Sequence, residues 1–181
     1  MLRHDPGLSV RLLRIVNSSF YGFPAKIDNL DRAVTIIGIQ ELENLILATT
    51  ASDLFNKISS DLIDMSCFWH HSVYVGITAK LLAKRCSVPN AERLFAAGLL
   101  HDIGQLIIFH EIPDMARKVL EKAMPTDDGL YQAEKEVLGF THGDVGAELF
   151  RVWGLPSIFA EVAAFHHEPG LSKNLTLKTL T

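Results

Sequence analysis

The sequence has few cysteines, no surplus of basic charge and no long hydrophobic run, and each shortage excludes a class of protein. Cys67 and Cys86 are the only cysteines and form no Cys-x-x-Cys motif, which argues against a disulfide framework or a zinc ribbon. The 17 Lys and Arg are outnumbered by 21 Asp and Glu, giving a net charge of -4, which disfavours nucleic acid and anionic membranes as partners. We therefore expect reduced, buried thiols, with no DNA or membrane partner.

Membrane-spanning and strand-forming patterns are also absent. No apolar stretch approaches the roughly 20 residues that cross a bilayer, and the N-terminus does not resemble a signal peptide, so we expect a cytoplasmic protein. No run alternates apolar with polar β-branched residues, whereas apolar residues recur at helical spacing along the chain. With 48% hydrophobic residues to build a core, the sequence predicts an all-α globular protein.

Capping residues and helical periodicity place the individual helices. They are predicted at about Pro6–Ser18, after the capping sequence Asp28–Asp31, at Gln40–Phe55, Cys67–Lys84, Leu94–Phe109, Pro113–Met124 and Leu130–Leu138, from His142 onwards, and at Ser157–His167. The pair joined across Gly38 has the outline of a DNA-binding helix-turn-helix. Its second helix carries Glu41 and Glu43 and no Lys or Arg before Lys57, which argues against that role.

A polar stretch, Asn56–Asp64, is the one segment long and polar enough to separate two lobes. We expect an N-terminal helical lobe at residues 1–60 and a larger helical domain at residues 61–181. Because both are rich in apolar helix faces, we predict that they unfold as one cooperative unit.

The stretch Leu94–Phe109 places an adjacent His101 and Asp102 inside an otherwise apolar helical run. Helical spacing points both side chains at the core, where a charged carboxylate costs several kcal/mol unless it is paired. A divalent cation is one such partner. The alternative is a core histidine that is simply satisfied by its neighbouring carboxylate.

Further histidines favour the cation, because a metal site needs several imidazoles and a carboxylate that converge from different helices. The sequence supplies them before and after the His101-Asp102 pair, at His71, His142, His166 and His167. We assign structural or surface roles to His4, His70 and His110. The charged run Glu134–Glu136 reads as a solvated helix face.

Several short motifs along the chain resemble one protein family. They are Asp5–Ser9, Leu13–Ser18, Phe68–Ser72, Ala97–Gly104, Glu136–Phe140 and Trp153–Pro156. In this pattern the sequence is similar to the HD superfamily of metal-dependent phosphohydrolases. More closely, it resembles the HDOD family, a bacterial signalling branch of that superfamily.

The resemblance implies an HD-type helical domain and a set of metal ligands. His71 matches the first ligand of the superfamily and His101-Asp102 its central pair, while the later histidines match a second metal site of the related HD-GYP enzymes. The implied ligands are His71, His101, Asp102, His142, His166 and His167. They imply one or two transition-metal ions at partial occupancy, of iron, nickel, zinc or manganese, bridged by Asp102 when two bind. Glu136 is implied as a residue that positions a site histidine.

Three departures from the pattern bear on activity. Gln105 stands where active enzymes commonly have a phosphate-binding lysine, no GYP element follows Glu168, and the closing aspartate has no match before Thr181. We therefore expect a C-terminally truncated HD-like domain acting as a regulatory module, with weak or no catalysis, a signalling protein as partner and a nucleotide as a candidate ligand. The alternative is a phosphohydrolase acting on a nucleotide or cyclic dinucleotide.

Overall fold

The structure is a computed structural model that describes residues 6–18, 21–55, 61–89, 91–126 and 128–172. Within these ranges the regular structure is entirely helical, which confirms the all-α prediction. None of the helices in the described ranges is long and apolar enough to cross a membrane. His4, residues 56–60 of the polar stretch, and Asp5 and Asn90, whose residue types favour helix caps, lie outside the described residues.

The packing divides the chain into two compact units, residues 1–55 and 56–181. Unit 1 holds three helices in its described part: α1 (Pro6–Val16), α2 (Leu30–Ile37) and α3 (Ile39–Phe55). Unit 2 holds α4 (Met65–Arg85), α5 (Ala91–Leu100), α6 (Ile103–Glu111), α7 (Pro113–Lys122), α8 (Gly129–Val137), α9 (His142–Val152), α10 (Ser157–Phe165) and a short 3₁₀ turn (Pro169–Leu171).

In unit 1 an asparagine orders the loop after α1. The Asn17 amide nitrogen donates to the Ile27 carbonyl at 2.7 Å and its oxygen accepts from the Ile27 backbone N–H at 2.8 Å. The loop then enters α2 through Asn29, whose side chain accepts from the Arg32 backbone N–H at 2.8 Å. Ile27, which this clamp holds, is buried.

In unit 2 small residues let α4 and α5 cross closely. A Cβ added to Gly76 would lie 2.7 Å from the Phe95 carbonyl oxygen, and one added to Gly98 would lie 3.0 Å from the Gly76 Cα. The buried face of α4 therefore follows small side chains as well as large ones. Its buried residues are Phe68, Ser72, Gly76, Lys80 and Ala83.

Apolar spacing alone groups His71, Thr78 and Leu82 with Phe68 on one face of α4, and the face that the structure buries is a different one. Leu82 is 42% exposed, and His70 and His71 both lie outside the core. The difference arises because close helix crossing selects small side chains at the contact.

The prediction of buried thiols was also wrong, because Cys67 and Cys86 are free but exposed.

The predicted single helix over Leu94–Phe109 is broken. Helix α5 ends at Leu100, α6 begins at Ile103, and His101 and Asp102 form the turn between them. Both side chains remain buried, as predicted. The break redirects α6 onto α9, where a Cβ on Gly104 would lie 2.0 Å from the His142 carbonyl oxygen. Apolar periodicity alone does not predict such a bend, because α5 and α6 each keep an apolar buried face.

Candidate metal centre

The turn between α5 and α6 fixes the orientation of His101. Its Nδ1 lies 2.7 Å from the Gly98 carbonyl oxygen, which can only accept, so Nδ1 carries the proton. The lone pair of the neutral ring is then on Nε2, 3.1 Å from Asp102 Oδ2. Local helix geometry thus aims one ligand atom of His101 at the neighbouring carboxylate.

Helix α4 brings a third side chain to this carboxylate. His71 Nε2 lies 3.4 Å from Asp102 Oδ2 and 3.4 Å from His101 Nε2, and 54% of the His71 side chain is exposed. One ligand atom from each of His71, His101 and Asp102 falls within 4.8 Å of the others. We refer to these three residues as the first group.

His142 stands in the first turn of α9, which begins with a capping box. Thr141 and Asp144 exchange side-chain and backbone hydrogen bonds there, as the sequence predicts. His142 Nδ1 lies 2.6 Å from Glu134 Oε2, a carboxylate acceptor, so Nδ1 again carries the proton. The remaining Nε2 lies 3.4 Å from Asp102 Oδ1.

The chain after α10 supplies the last two histidines. His166 Nδ1 donates to the Ala163 carbonyl at 2.8 Å, which leaves its Nε2 lone pair 3.1 Å from His142 Nε2 and 3.3 Å from Asp102 Oδ1. His167 Nδ1 lies 2.9 Å from Asp128 Oδ1, and its ring stacks on Tyr131 at 4.5 Å between centroids. One ligand atom from each of His142, His166 and His167 falls within 4.8 Å of the others, and we call these residues the second group.

Asp102 connects the two groups, because Oδ2 faces the first group and Oδ1 faces the second. Its buried Oδ1 accepts no hydrogen bond from the described residues. The nearest nitrogens, His142 Nε2 and His166 Nε2, carry lone pairs when neutral, since their protons are held on Nδ1. Three acceptors that converge without a donor fit a cation, so the residues of the second group together with Asp102 suit a divalent metal.

The charge state of Asp102 agrees with this arrangement. Burial alone would raise the pKa of its carboxyl, but the neighbouring rings of His101, His166 and His71, when protonated, donate to it and bring that pKa well below its usual range. Asp102 is therefore an anion in the core. In return, its hydrogen bond raises the pKa of His71.

The pKa values of His142 and His167 in the second group are shifted in opposite directions. Burial lowers the pKa of His142, but the Glu134 hydrogen bond and the charges of Asp102, Glu134 and Asp144 outweigh it and raise the pKa. Burial and the neighbouring His166 lower the pKa of His167.

Helix α8 contributes residues that the sequence analysis did not assign to the site. The charged run Glu134–Glu136 was interpreted as solvated, yet Glu134 is fully buried and holds His142. Glu136, implied as the positioning residue, is exposed and pairs with Lys122 instead. A signal was present, because helical spacing puts Glu134 on the same face of α8 as the aromatic Tyr131, three residues earlier.

The other histidines and Gln105 are not members of either ligand group. His70 is exposed on α4, and His110 is exposed at the end of α6, 3.8 Å from Glu111. Gln105 is half-buried on α6, and its backbone N–H donates to the Asp102 carbonyl at 2.9 Å. The described cation beside the second group is Lys135, which pairs with Glu168 at 2.9 Å.

Comparison with known proteins assigns this arrangement to a family. A sequence model of the HDOD domain matches residues 1–169. The chain belongs to the HDOD domain family. The family resemblance that the motifs indicated is thereby confirmed, and with it the family's helical fold.

Solved structures share this HDOD architecture over nearly the whole chain. An HDOD domain protein from Geobacter sulfurreducens is 27% identical with a TM-score of 0.85, covering 99% of this chain and 61% of that one. A candidate phosphohydrolase from Shewanella amazonensis is 29% identical with a TM-score of 0.80, covering 99% and 64% respectively.

An uncharacterised protein of Treponema pallidum is 25% identical over 171 residues. The match covers 92% of this chain and 32% of that protein. The HDOD chain thus spans less than two thirds of the length of these relatives.

Proposed function

We propose that the chain is a bacterial signal-transduction module of the HDOD family that binds a divalent transition metal and has weak or no hydrolytic activity. The observation that supports metal binding is that His142 Nε2 and His166 Nε2 converge on Asp102 Oδ1 with no hydrogen-bond donor among these three atoms. Imidazole-rich ligand sets suit iron, nickel, zinc and manganese to different degrees, and the two groups provide for one or two ions.

Weak activity is proposed because the described residues around the groups offer little positive charge for a phosphate. Gln105, at the position of the usual lysine, is uncharged, and the Lys135 ammonium is already paired with Glu168. A module that keeps its metal ligands but binds phosphate poorly suits a regulatory role. Its partner would be another protein of a cytoplasmic signalling pathway, with a nucleotide as a candidate ligand.

A second candidate function is hydrolysis of a nucleotide or cyclic dinucleotide. The observation in its favour is that the two oxygens of Asp102 face separate ligand groups, the arrangement of a carboxylate shared by two ions. The Shewanella amazonensis relative is named as a candidate phosphohydrolase. Two bound ions would supply an activated water for attack at phosphorus.

Elemental analysis of protein purified without a histidine tag tests the metal. We expect a fraction of an equivalent as purified, rising after incubation with Fe²⁺ or Zn²⁺, and loss of binding in Asp102→Asn. The variant His110→Ala, altered at an exposed histidine outside both groups, should bind like the original protein. Less than about a tenth of an equivalent after incubation would leave only a structural role for these residues.

An activity panel separates the two functions. Nucleotides and cyclic dinucleotides are incubated with the protein and Mn²⁺, Fe²⁺ or Mg²⁺, and release of phosphate or linear product is measured. We expect little turnover. Sustained turnover that disappears in Asp102→Ala would establish the hydrolase and overturn the regulatory proposal.

A further inference from the structure

Glu134 on α8 is an unusual residue to find in a core. It is fully buried, while Lys135 and Glu136 beside it in the same helix are exposed. Burying a carboxylate without compensation costs several kcal/mol, and replacing a structural buried ion pair by apolar groups is often neutral or stabilising. A fully buried Glu134 therefore calls for a role that an apolar side chain could not fill.

The hydrogen bonds of Glu134 are directed at a single residue. Its Oε2 accepts from the His142 backbone N–H at 2.8 Å and from His142 Nδ1 at 2.6 Å. Its Oε1 accepts no hydrogen bond from the described residues. Among the described residues, the hydrogen bonds of this carboxylate therefore come from His142 alone.

This contact decides which nitrogen of His142 carries the proton. If the histidines served only to satisfy Asp102, a neutral His142 would protonate at Nε2 and donate to Asp102 Oδ1, 3.4 Å away. Glu134 draws the proton to Nδ1 instead. The Nε2 lone pair is left facing Asp102 and His166, in a ring whose side chain is 1% exposed and cannot turn to water.

We propose that Glu134 is a positioning residue of the second group, which keeps His142 in the Nδ1-protonated form with Nε2 free to bind a metal ion. The proposal rests on the metal-binding function above and names a residue through which that function is set. A carboxylate behind a ligating histidine fixes the ring and raises its basicity, and losing such a partner typically costs about 10- to 100-fold in metal affinity.

The same helix braces the neighbouring ligand. One turn before Glu134, Tyr131 stacks on His167, and Asp128 at the start of α8 accepts from His167 Nδ1 at 2.9 Å. Contacts to two of the three histidines in the second group therefore come from one nine-residue helix. Glu134 therefore belongs to a set of α8 residues that hold the histidines of the second group in place.

The test compares Glu134→Gln with Glu136→Gln, the same chemical change two residues along α8 at an exposed position. Zn²⁺ binding is titrated by calorimetry, with stoichiometry checked by elemental analysis. We expect Glu134→Gln to weaken binding at the second group about 10- to 100-fold while the first group is unchanged. Glu136→Gln should match the original protein, and Glu134→Asp, which keeps the charge, should bind more tightly than Glu134→Gln.

A second measurement needs no variant at Glu134 and no metal. Long-range ¹⁵N–¹H spectra of the metal-free protein distinguish imidazole tautomers, and His142→Ala assigns the His142 signals. At about pH 8.5, where an ordinary imidazole is neutral, we expect His142 to be protonated at Nδ1 alone. Protonation at Nε2 would overturn the proposal, even if Glu134→Gln failed to fold.

The outcomes separate this proposal from the proposed function. If the original protein binds metal and Glu134→Gln binds it with unchanged affinity, the positioning role of Glu134 is refuted and the metal-binding function is retained. An original protein that binds no metal would remove both.

Discussion

At the scale of single residues, Gly104 is the glycine at which one added methyl group should destabilise the fold strongly. Its Cβ would lie 2.0 Å from the His142 carbonyl oxygen and 2.8 Å from the Gly146 backbone nitrogen, and these backbone atoms cannot move aside as a flexible side chain would. We expect Gly104→Ala to lower the free energy of unfolding by about 3 kcal/mol or more, measured by urea denaturation.

Gly170→Ala provides the matched control. A Cβ at Gly170 would meet nothing within 4 Å, so this change should leave stability within about 0.5 kcal/mol of the original protein. Equal stability of the two variants would show that α6 and α9 do not approach as closely as the structure places them.

Residue chemistry also explains which parts of the candidate site could be predicted from sequence. Histidines and an aspartate in an apolar setting stand out by type, so His101 and Asp102 were recognisable and the structure brings the other four histidines around them. That they bind metal stays a prediction. Glu134 was missed because a glutamate followed by two further charged residues is usually solvated, and its burial follows from where α8 packs.

At the scale of elements, the start of α9 depends on the Thr141 cap. The Thr141 Oγ1 accepts from the Asp144 backbone N–H at 3.2 Å, and Asp144 Oδ2 accepts from the Thr141 backbone N–H at 2.9 Å. We expect Thr141→Ala to cost about 1 kcal/mol in the free energy of unfolding, from urea denaturation.

Thr141→Ser retains the hydroxyl and should recover most of that loss. Because His142 is the first residue of α9, we also expect Thr141→Ala to broaden its imidazole signals in the metal-free protein. A Thr141→Ser variant as unstable as Thr141→Ala would assign the effect to the lost methyl group and not to the cap.

Helix positions were largely predictable for the same local reason, since caps and apolar spacing act within a few residues. The start of α2 after Asn29 and that of α9 after Thr141 follow directly from their capping side chains. The break at His101 and Asp102 was not predictable in this way. It depends on α9, more than 30 residues further along the chain, packing its backbone against Gly104.

At the scale of the whole molecule, the sequence predicted two lobes that unfold together, with a joint near residue 60. The packing separates residues 1–55 from 56–181. Whether the two unfold in one transition stays a prediction. A lobe of about 55 residues has little apolar surface to bury within itself.

Metal binding offers a way to test this cooperativity, because both ligand groups lie in unit 2. A ligand at 100 times its dissociation constant stabilises the folded state by about 2.7 kcal/mol, which for a chain of this size raises the melting temperature by roughly 5 to 10 °C. In calorimetric scans with and without Zn²⁺ we expect one transition that moves as a whole, and no shift in Asp102→Asn. The shift should shrink as pH falls from 7.5 towards 5, because an imidazole must lose its proton to bind a metal, and the raised pKa of His142 makes that proton harder to remove. Two transitions of which only one responds to Zn²⁺ would refute the single cooperative unit. A shift in melting temperature that grows on acidification would exclude histidine ligation.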